Sequence, residues 1–370
     1  MTNNGRLRYI RTRRFGVLDS RLPPPPSPEA ATTTVGCRGV DLLKTPLPVL
    51  ELSNVLLHAQ RHRTDEVRSQ FDEFLRTHGF VFLTAPQSSQ PGRIIRDLRD
   101  SVHHDLFPNQ LEKNDELPTS QNIYWSEKNI PMYRLGYEFC EDGMREVFRV
   151  AAGRVDDQPW PDAGGRARST TLRALGLVRH VCDTILDLLL SGQQTKIPTE
   201  AGAKSKDMAV RKPRPGSGSS TWWSPHGQSP SYTKQLVGTI PDRDEDYSVW
   251  YAMHYFNTTP LRGETIVTLK AHVDPSLLVV EPFLCPYTRG LQVWNRTTGT
   301  WMDVDGPASP VSSLWETGQE VMLLFGGKAL GAACNLEPTL HRVVLGSEPR
   351  STVIYEQKYG ELFSATNLRL

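Results

Sequence analysis

Short alternating runs of apolar and polar residues dominate the chain after Tyr247. β-Branched and aromatic residues recur in these runs, and turn signals such as Arg262-Gly263 and Thr298-Gly299 separate them. The runs predict eight strands, at 248–256, 265–272, 277–282, 291–295, 301–304, 321–325, 341–345 and 352–357. Eight strands at this spacing are typical of a jelly roll, or double-stranded β-helix, whose two sheets leave a mouth for a metal and a small ligand.

Before residue 190 the apolar period is that of helices. Val67, Phe71, Phe74 and Leu75 form one stripe of a helix that begins near Thr64. Further helices are predicted at 93–106 and 170–190, and short strands at 46–52 and 80–84. The aromatic-rich segment 122–152 shows no clear period, so its rings either pack in the core or line a pocket. The predicted fold class is α+β, mainly β, with helices packed on the outside of the jelly roll.

Composition divides the chain further. Residues 1–45, which carry an Arg-rich start and four consecutive prolines, are predicted to be a disordered leader. Residues 191–246 are rich in Lys, Pro, Gly and Ser and form either a disordered insertion or a lid. The expected organisation is therefore a helical and mixed region at 46–190, a jelly-roll core at 247–360 and a tail at 361–370.

Charge and cysteine content exclude some classes of protein. The 42 basic and 41 acidic residues give a net charge of +1, which does not indicate a nucleic-acid partner. No apolar run approaches the roughly 18 residues of a membrane span. The five cysteines form no Cys-x-x-Cys pair and are odd in number, which favours a reducing compartment. We therefore expect a cytoplasmic protein; the sequence does not indicate its oligomeric state.

The candidate chemistry begins at His272 and Asp274. On an extended strand, residues two apart face the same side, so the pair offers an imidazole and a carboxylate together. These are two ligands of the 2-His-1-carboxylate triad that holds non-haem Fe(II), and His341, the only later histidine, can supply the third. His103-His104-Asp105 has the same spacing but lies in a predicted helix, where such residues diverge, and is interpreted as solvated surface.

Nine residues after His341, a second pair suits anion binding. Arg350 and Thr352 lie two apart on a predicted strand, so a guanidinium and a hydroxyl face the same way. Together they can hold a carboxylate through charge-assisted hydrogen bonds. Each residue alone has an ordinary structural explanation, but their joint order in a β context favours a metal site with an anion anchor.

These motifs resemble the isopenicillin N synthase-like branch of the Fe(II)- and 2-oxoglutarate-dependent dioxygenases. The resemblance covers most of 46–360 except the insertion. It is carried by His272-Val-Asp-Pro-Ser-Leu-Leu278, Gly290-Leu-Gln-Val-Trp-Asn295, Gly299-Thr-Trp-Met-Asp-Val304, His341-Arg-Val-Val344 and Arg350-Ser-Thr352. The segment before His341 departs from the pattern, because 341 − 274 = 67 residues separate it from Asp274.

The resemblance implies a role for each of these residues. His272, Asp274 and His341 would bind Fe(II), Arg350 and Thr352 would bind the distal carboxylate of 2-oxoglutarate, and Tyr255 would assist there, while His254 beside it is structural. The implied reaction uses O2 and the cosubstrate to hydroxylate, desaturate or cyclise a small molecule, in biosynthesis or secondary metabolism. Two alternatives stay open: an iron oxidase of the isopenicillin N synthase type that does not use 2-oxoglutarate, and a non-catalytic jelly-roll binding protein.

Overall fold

The structure is a computed structural model. It describes residues 47–58, 64–107, 135–140, 145–152, 160, 165–191, 248–257 and 265–358. The predicted leader and tail lie outside these residues, as does the predicted insertion apart from Ser191. None of the described helices combines the length and the apolarity needed to cross a membrane.

Twelve strands form two sheets in the described part of the chain. In spatial order, the major sheet contains β1 (Val49–Glu51), β2 (Phe80–Pro86), β10 (Gln319–Gly326), β7 (Leu278–Glu281), β12 (Arg350–Glu356), β5 (Val249–Tyr255), β4 (Arg145–Ala151) and β3 (Gly136–Phe139). The minor sheet contains β6 (Val267–His272), β11 (His341–Val344), β8 (Leu291–Asn295) and β9 (Thr300–Asp303). All eight strands predicted after Tyr247 are present, and the jelly-roll fold class is confirmed.

Alternate residues of the major-sheet strands pack on two different layers. On the inner face, side chains such as Phe82, Met253 and Leu323 share a core with Val293 and Val343 of the minor sheet. The neighbouring positions point the other way, because successive side chains of a strand alternate. These outer residues, among them Val81, Leu83, Trp250, Ala252, Leu324 and Tyr355, belong to the core that contains the helices. The helices therefore cover the outside of the jelly roll, as predicted.

The long helices follow the apolar stripes of the sequence. They are α2 (Thr64–Thr77), α3 (Gln90–Ser101) and α4 (Arg166–Ser191), and the short helices are α1 (Leu52–His58), α5 (Ser312–Glu316) and α6 (Lys328–Cys334). α3 begins after Ser89, whose hydroxyl accepts a hydrogen bond from the backbone N–H of Gly92 at 3.1 Å. It continues as a π-helical turn at Val102–Leu106. In this turn His103 and His104 are exposed, so their interpretation as surface is confirmed.

Among the described residues, five helices and strands were not predicted from the sequence pattern, namely β3, β4, α1, α5 and α6. β3 and β4 lie in the aromatic-rich segment without a clear period. β4 is buried on both faces, with Val147 in the inner core and Phe148 and Val150 in the outer core, so its apolar residues do not alternate with polar ones. The short helices α5 and α6 were missed because neither is long enough to show a period.

Candidate metal centre

The three candidate metal ligands meet at the paired ends of β6 and β11. His341, the first residue of β11, lies opposite His272, the last residue of β6. Nε2 of His272 is 3.6 Å from Oδ1 of Asp274, and Nε2 of His341 is 3.4 Å from Oδ2 of the same carboxylate. One ligand atom from each residue lies within 4.8 Å of the other two. No second group of this kind occurs among the residues that the structure describes.

Backbone carbonyls fix the tautomer of both imidazoles. Nδ1 of His272 lies 2.8 Å from the carbonyl oxygen of Lys270, and Nδ1 of His341 lies 3.2 Å from that of Thr339. A carbonyl can only accept a hydrogen bond, so each Nδ1 must carry the proton and donate it. Each Nε2 then keeps a free lone pair directed at the carboxylate of Asp274. Metal-binding histidines are commonly oriented in this way.

Electrostatics also suits a bound cation. Burial, reinforced by the neighbouring His272, lowers the pKa of His341 to about 3, so this imidazole is neutral at ordinary pH. Burial raises the pKa of Asp274, and His272 opposes that shift. The partly buried carboxylate of Asp274, with the neutral imidazole of His341 beside it, gains stability when a cation binds. The two nitrogens and one carboxylate fit the donor set of a non-haem Fe(II) site.

The loop that carries Asp274 is held by α6. The carbonyl oxygens of Asp274 and Ser276 accept hydrogen bonds from the backbone N–H groups of Lys328 at 2.8 Å and Ala329 at 3.1 Å. A Cβ on Gly327 would lie 2.2 Å from the carbonyl oxygen of Ser276, so only glycine allows this approach. The segment that lengthens the gap before His341 therefore positions a candidate metal ligand.

Arg350 and Thr352 face one side of β12, as predicted, and both contact Glu281. Nη2 of Arg350 donates to Oε1 of Glu281 at 2.6 Å, and the hydroxyl of Thr352 donates to the same oxygen. Arg350 also contacts Asp305, whose Oδ2 lies 2.9 Å from Nε and 2.6 Å from Nη2. Arg350 is 2 % exposed and Glu281 1 %, so this ion-pair network is buried.

One guanidinium thus stands between two buried carboxyl groups. Burial raises the pKa of Glu281 to about 8, with Asp305 adding to the shift and Arg350 opposing it. Asp305 accepts hydrogen bonds from the backbone N–H groups of Cys285 at 2.8 Å and Leu291 at 2.9 Å. Among the described residues, Glu281 receives no hydrogen bond from a backbone N–H group, and its Oε2 has no hydrogen-bond partner.

Tyr255 lies beside Arg350, but its hydroxyl group contacts other residues. It pairs with Arg350 across β5 and β12, and the guanidinium carbon of Arg350 is 5.7 Å from the centre of its ring. Its hydroxyl accepts a hydrogen bond from Nη1 of Arg145, at 3.3 Å, and lies 3.7 Å from the sulfur of Met253. His254 faces the opposite side, where its Nδ1 is 2.9 Å from the hydroxyl of Ser351.

Sequence reasoning missed three charged residues of this region. Glu281 ends an apolar run, Asp305 belongs to an Asp-Gly-Pro turn signal, and Arg145 lies in the segment without a clear period. The signal that could have drawn attention to Glu281 is an acidic residue at the end of an otherwise apolar strand. Its partners could not be read from the sequence, because they lie 69 and 71 residues away.

Comparison with known proteins was made at the level of sequence and of structure. The chain matches no protein-family model and no curated protein. Among solved structures, it is similar to the dioxygenase for auxin oxidation in rice, with 16% identity, a TM-score of 0.50, and coverage of 85% of this chain and 84% of that chain. It is also similar to a C-terminally truncated protein of Neurospora crassa in its apo form, at 17% identity, a TM-score of 0.51, and coverage of 84% and 94% respectively.

A third similar structure is JOX2 in complex with 2OG, Fe and JA, at 13% identity and a TM-score of 0.52, with coverage of 85% of this chain and 75% of that chain. The chain shares the fold of these proteins. At identities this low, the similarity establishes the fold and leaves the activity to be argued from the site.

Proposed function

We propose that this protein is an Fe(II)- and 2-oxoglutarate-dependent dioxygenase that oxidises a small molecule. The observation that carries the proposal is the convergence of His272, Asp274 and His341, with both imidazoles held in the metal-binding tautomer. A fold shared with a rice dioxygenase supports it. Substrate and pathway are assigned only as a class, a small molecule of biosynthesis or secondary metabolism.

The proposed reaction assigns a role to each residue of the site. Fe(II), when bound, would supply the activation of O2 that couples decarboxylation of 2-oxoglutarate to oxidation of a C–H bond. His272, Asp274 and His341 would hold the metal by three positions and leave the others open. Arg350 and Thr352 would bind the distal carboxylate of 2-oxoglutarate, with Tyr255 beside them. The buried walls of the two sheets would exclude water.

The second candidate is an iron oxidase that does not use 2-oxoglutarate. The contact of Glu281 with both Arg350 and Thr352 favours it, because these two donors already have an acceptor. A non-catalytic binding protein is the third candidate, and it would have no need of three converging ligands. For the compartment we propose the cytoplasm, on the cysteine pattern alone.

The test is an anaerobic titration with Fe(II), followed by 2-oxoglutarate. Fe(II) should bind, and 2-oxoglutarate at high concentration should produce the weak visible charge-transfer band of its chelate. His272→Ala should abolish iron binding, whereas His103→Ala, at the exposed His-x-Asp of the π-helical turn, should bind iron normally. Arg350→Lys keeps a charge beside the two carboxyl groups but loses the planar fork, so it should bind iron, and any weakening of the band measures how much Arg350 contributes to binding the distal carboxylate.

The outcomes separate the three candidates. A band with 2-oxoglutarate supports the dioxygenase. Iron binding without a band at any concentration of 2-oxoglutarate, in the wild type and its variants, would support the oxidase. A chain that binds no Fe(II) would be a binding protein.

A further inference from the structure

Glu281 takes the two hydrogen bonds that the proposed function assigns to the cosubstrate. Its Oε1 accepts from Nη2 of Arg350 at 2.6 Å and from the hydroxyl of Thr352. Both donors therefore converge on a carboxyl group of the protein itself. The contacts are those expected of a carboxylate bound by Arg350 and Thr352, but this carboxyl group belongs to Glu281 of β7.

The alternation of the strands places all three side chains between the sheets. On β7, Val279 belongs to the inner core and Val280 to the outer core, so Glu281 faces inward. On β12, Val353 and Tyr355 belong to the outer core, so Arg350 and Thr352 face inward as well. Glu281 thus enters the same interior as the proposed cosubstrate pocket.

The two carboxyl groups beside Arg350 are held differently. Asp305 accepts hydrogen bonds from two backbone N–H groups in addition to Arg350, which fixes it in place. Glu281 bonds through Oε1 to side chains, and its buried Oε2 has no hydrogen-bond partner in the part of the chain that the structure describes. Asp305 can therefore remain as the counter-ion of Arg350 while Glu281 is displaced.

We propose that Glu281 determines which 2-oxo acid this pocket accepts, because its carboxyl group competes with a distal carboxylate for Arg350 and Thr352. The inference rests on the proposed function. It predicts that the wild-type pocket gains little from the distal carboxylate of 2-oxoglutarate. A 2-oxo acid with an uncharged far end, which leaves Glu281 in place, should then suit the pocket as well as 2-oxoglutarate does.

Two 2-oxo acids of the same chain length test how much the distal carboxylate contributes to binding. 2-Oxopentanoate carries a methyl group where 2-oxoglutarate carries its distal carboxylate, and both chelate Fe(II) through the same 2-oxo acid group. Anaerobic titration of the iron-loaded protein, followed by the visible band, gives a Kd for each. The wild type should bind the two ligands with a similar Kd.

Replacing Glu281 should favour 2-oxoglutarate alone. Glu281→Leu keeps a side chain of similar size but removes the acceptor, so it should tighten 2-oxoglutarate binding by about tenfold or more, the size expected when a competing charge-assisted hydrogen bond is removed. Binding of 2-oxopentanoate should change by less than about twofold, because that ligand does not need the anchor. Glu281→Gln keeps an acceptor oxygen and cannot ionise, so its effect should be smaller but in the same direction.

The matched control is Glu320→Leu. Glu320 is also 1 % exposed and accepts a hydrogen bond from an arginine, Nη1 of Arg99, at 2.7 Å. Its side chain contacts α3 and does not face the space between the two sheets, so its replacement should leave both Kd values unchanged. Each folded variant is first checked for Fe(II) binding.

The inference and the proposed function fail in different ways. If the wild type binds 2-oxoglutarate much more tightly than 2-oxopentanoate, and the folded Glu281 variants bind it no better, the competition is refuted while the dioxygenase assignment stands. Should Glu281→Leu not fold, Glu281→Gln alone decides. If neither ligand produces a band in any iron-loaded protein, both the inference and the use of a 2-oxo acid are refuted.

Discussion

Gly290 gives Arg350 the room it needs. A Cβ on Gly290 would lie 2.4 Å from both Cδ and Nε of Arg350, closer than two unbonded atoms can approach. In Gly290→Ala the arginine side chain must therefore move away from Asp305. We expect the free energy of unfolding to fall by about 1–3 kcal/mol, the usual range for overpacking, as measured by urea denaturation.

The control for Gly290 is a glycine with free space around it. A Cβ on Gly176, in the interior of α4, would meet no atom within 4 Å. Gly176→Ala should raise the free energy of unfolding by about 0.5–1 kcal/mol, because alanine loses less backbone entropy in a helix. Equal stability of the two alanine variants would show that Arg350 does not depend on Gly290 for space.

At the scale of single residues, the sequence pointed to the three candidate metal ligands but not to the charged residues that surround the site. His272, Asp274 and His341 could be found because their spacing and order carry the signal. Glu281 and Asp305 could not be found, since their effect on Arg350 arises only when β7 and the turn after β9 meet β12. Local pattern shows which side chains share a strand face; it does not show which strand lies next to them.

Arg296 joins two elements that are distant in sequence. It lies in the turn between β8 and β9, and its Nη1 donates to the carbonyl oxygens of Leu75 at 2.8 Å and Arg76 at 3.4 Å, at the end of α2. The last carbonyls of a helix have no partner within the helix. Arg296→Met keeps the apolar stem and removes the donors. We expect it to lower the free energy of unfolding by about 1–3 kcal/mol in urea denaturation.

The control for Arg296→Met is a substitution at Glu337, which forms an ion pair with the same arginine. Oε2 of Glu337 lies 3.4 Å from Nε of Arg296, but the Glu337 side chain is 71% exposed. An exposed ion pair adds little to stability, so Glu337→Gln should change the free energy of unfolding by less than about 0.5 kcal/mol. If Glu337→Gln were as costly as Arg296→Met, the ion pair and not the helix carbonyls would account for the role of Arg296.

At the scale of elements, the sequence pattern predicted the α2 stripe and the compact apolar runs of β2, β7 and β10, which are buried along nearly their whole length. It missed β4, where arginine and glutamate residues interrupt the apolar positions and leave neither a continuous run nor a strict alternation. β4 pairs with β5, and β2 pairs with β10, so strands from both ends of the described chain build one sheet. The sequence predicted helices outside the jelly roll but did not show that strands before residue 191 extend its major sheet.

At the scale of the whole molecule, the buried carboxyl of Glu281 links stability to pH. Its pKa is about 8 in the folded protein, against an ordinary value of 4.5, so between these values the folded state binds more protons than the unfolded state. Stability from this group is therefore fully present below pH 4.5 and is lost as the pH rises through 8. Glu281→Gln cannot titrate and should not show this loss.

The comparison needs the metal-free protein, because a bound ligand would add its own linkage. We expect the free energy of unfolding of the wild type, minus that of Glu281→Gln, to decrease steadily between pH 4.5 and 8. Glu337→Gln, at an exposed carboxylate, should follow the wild type throughout. A difference that stays constant over this range would mean that Glu281 is ionised in the folded protein. In that case Arg350 would hold two negative charges, and an entering carboxylate would have to break a full ion pair to reach its anchor.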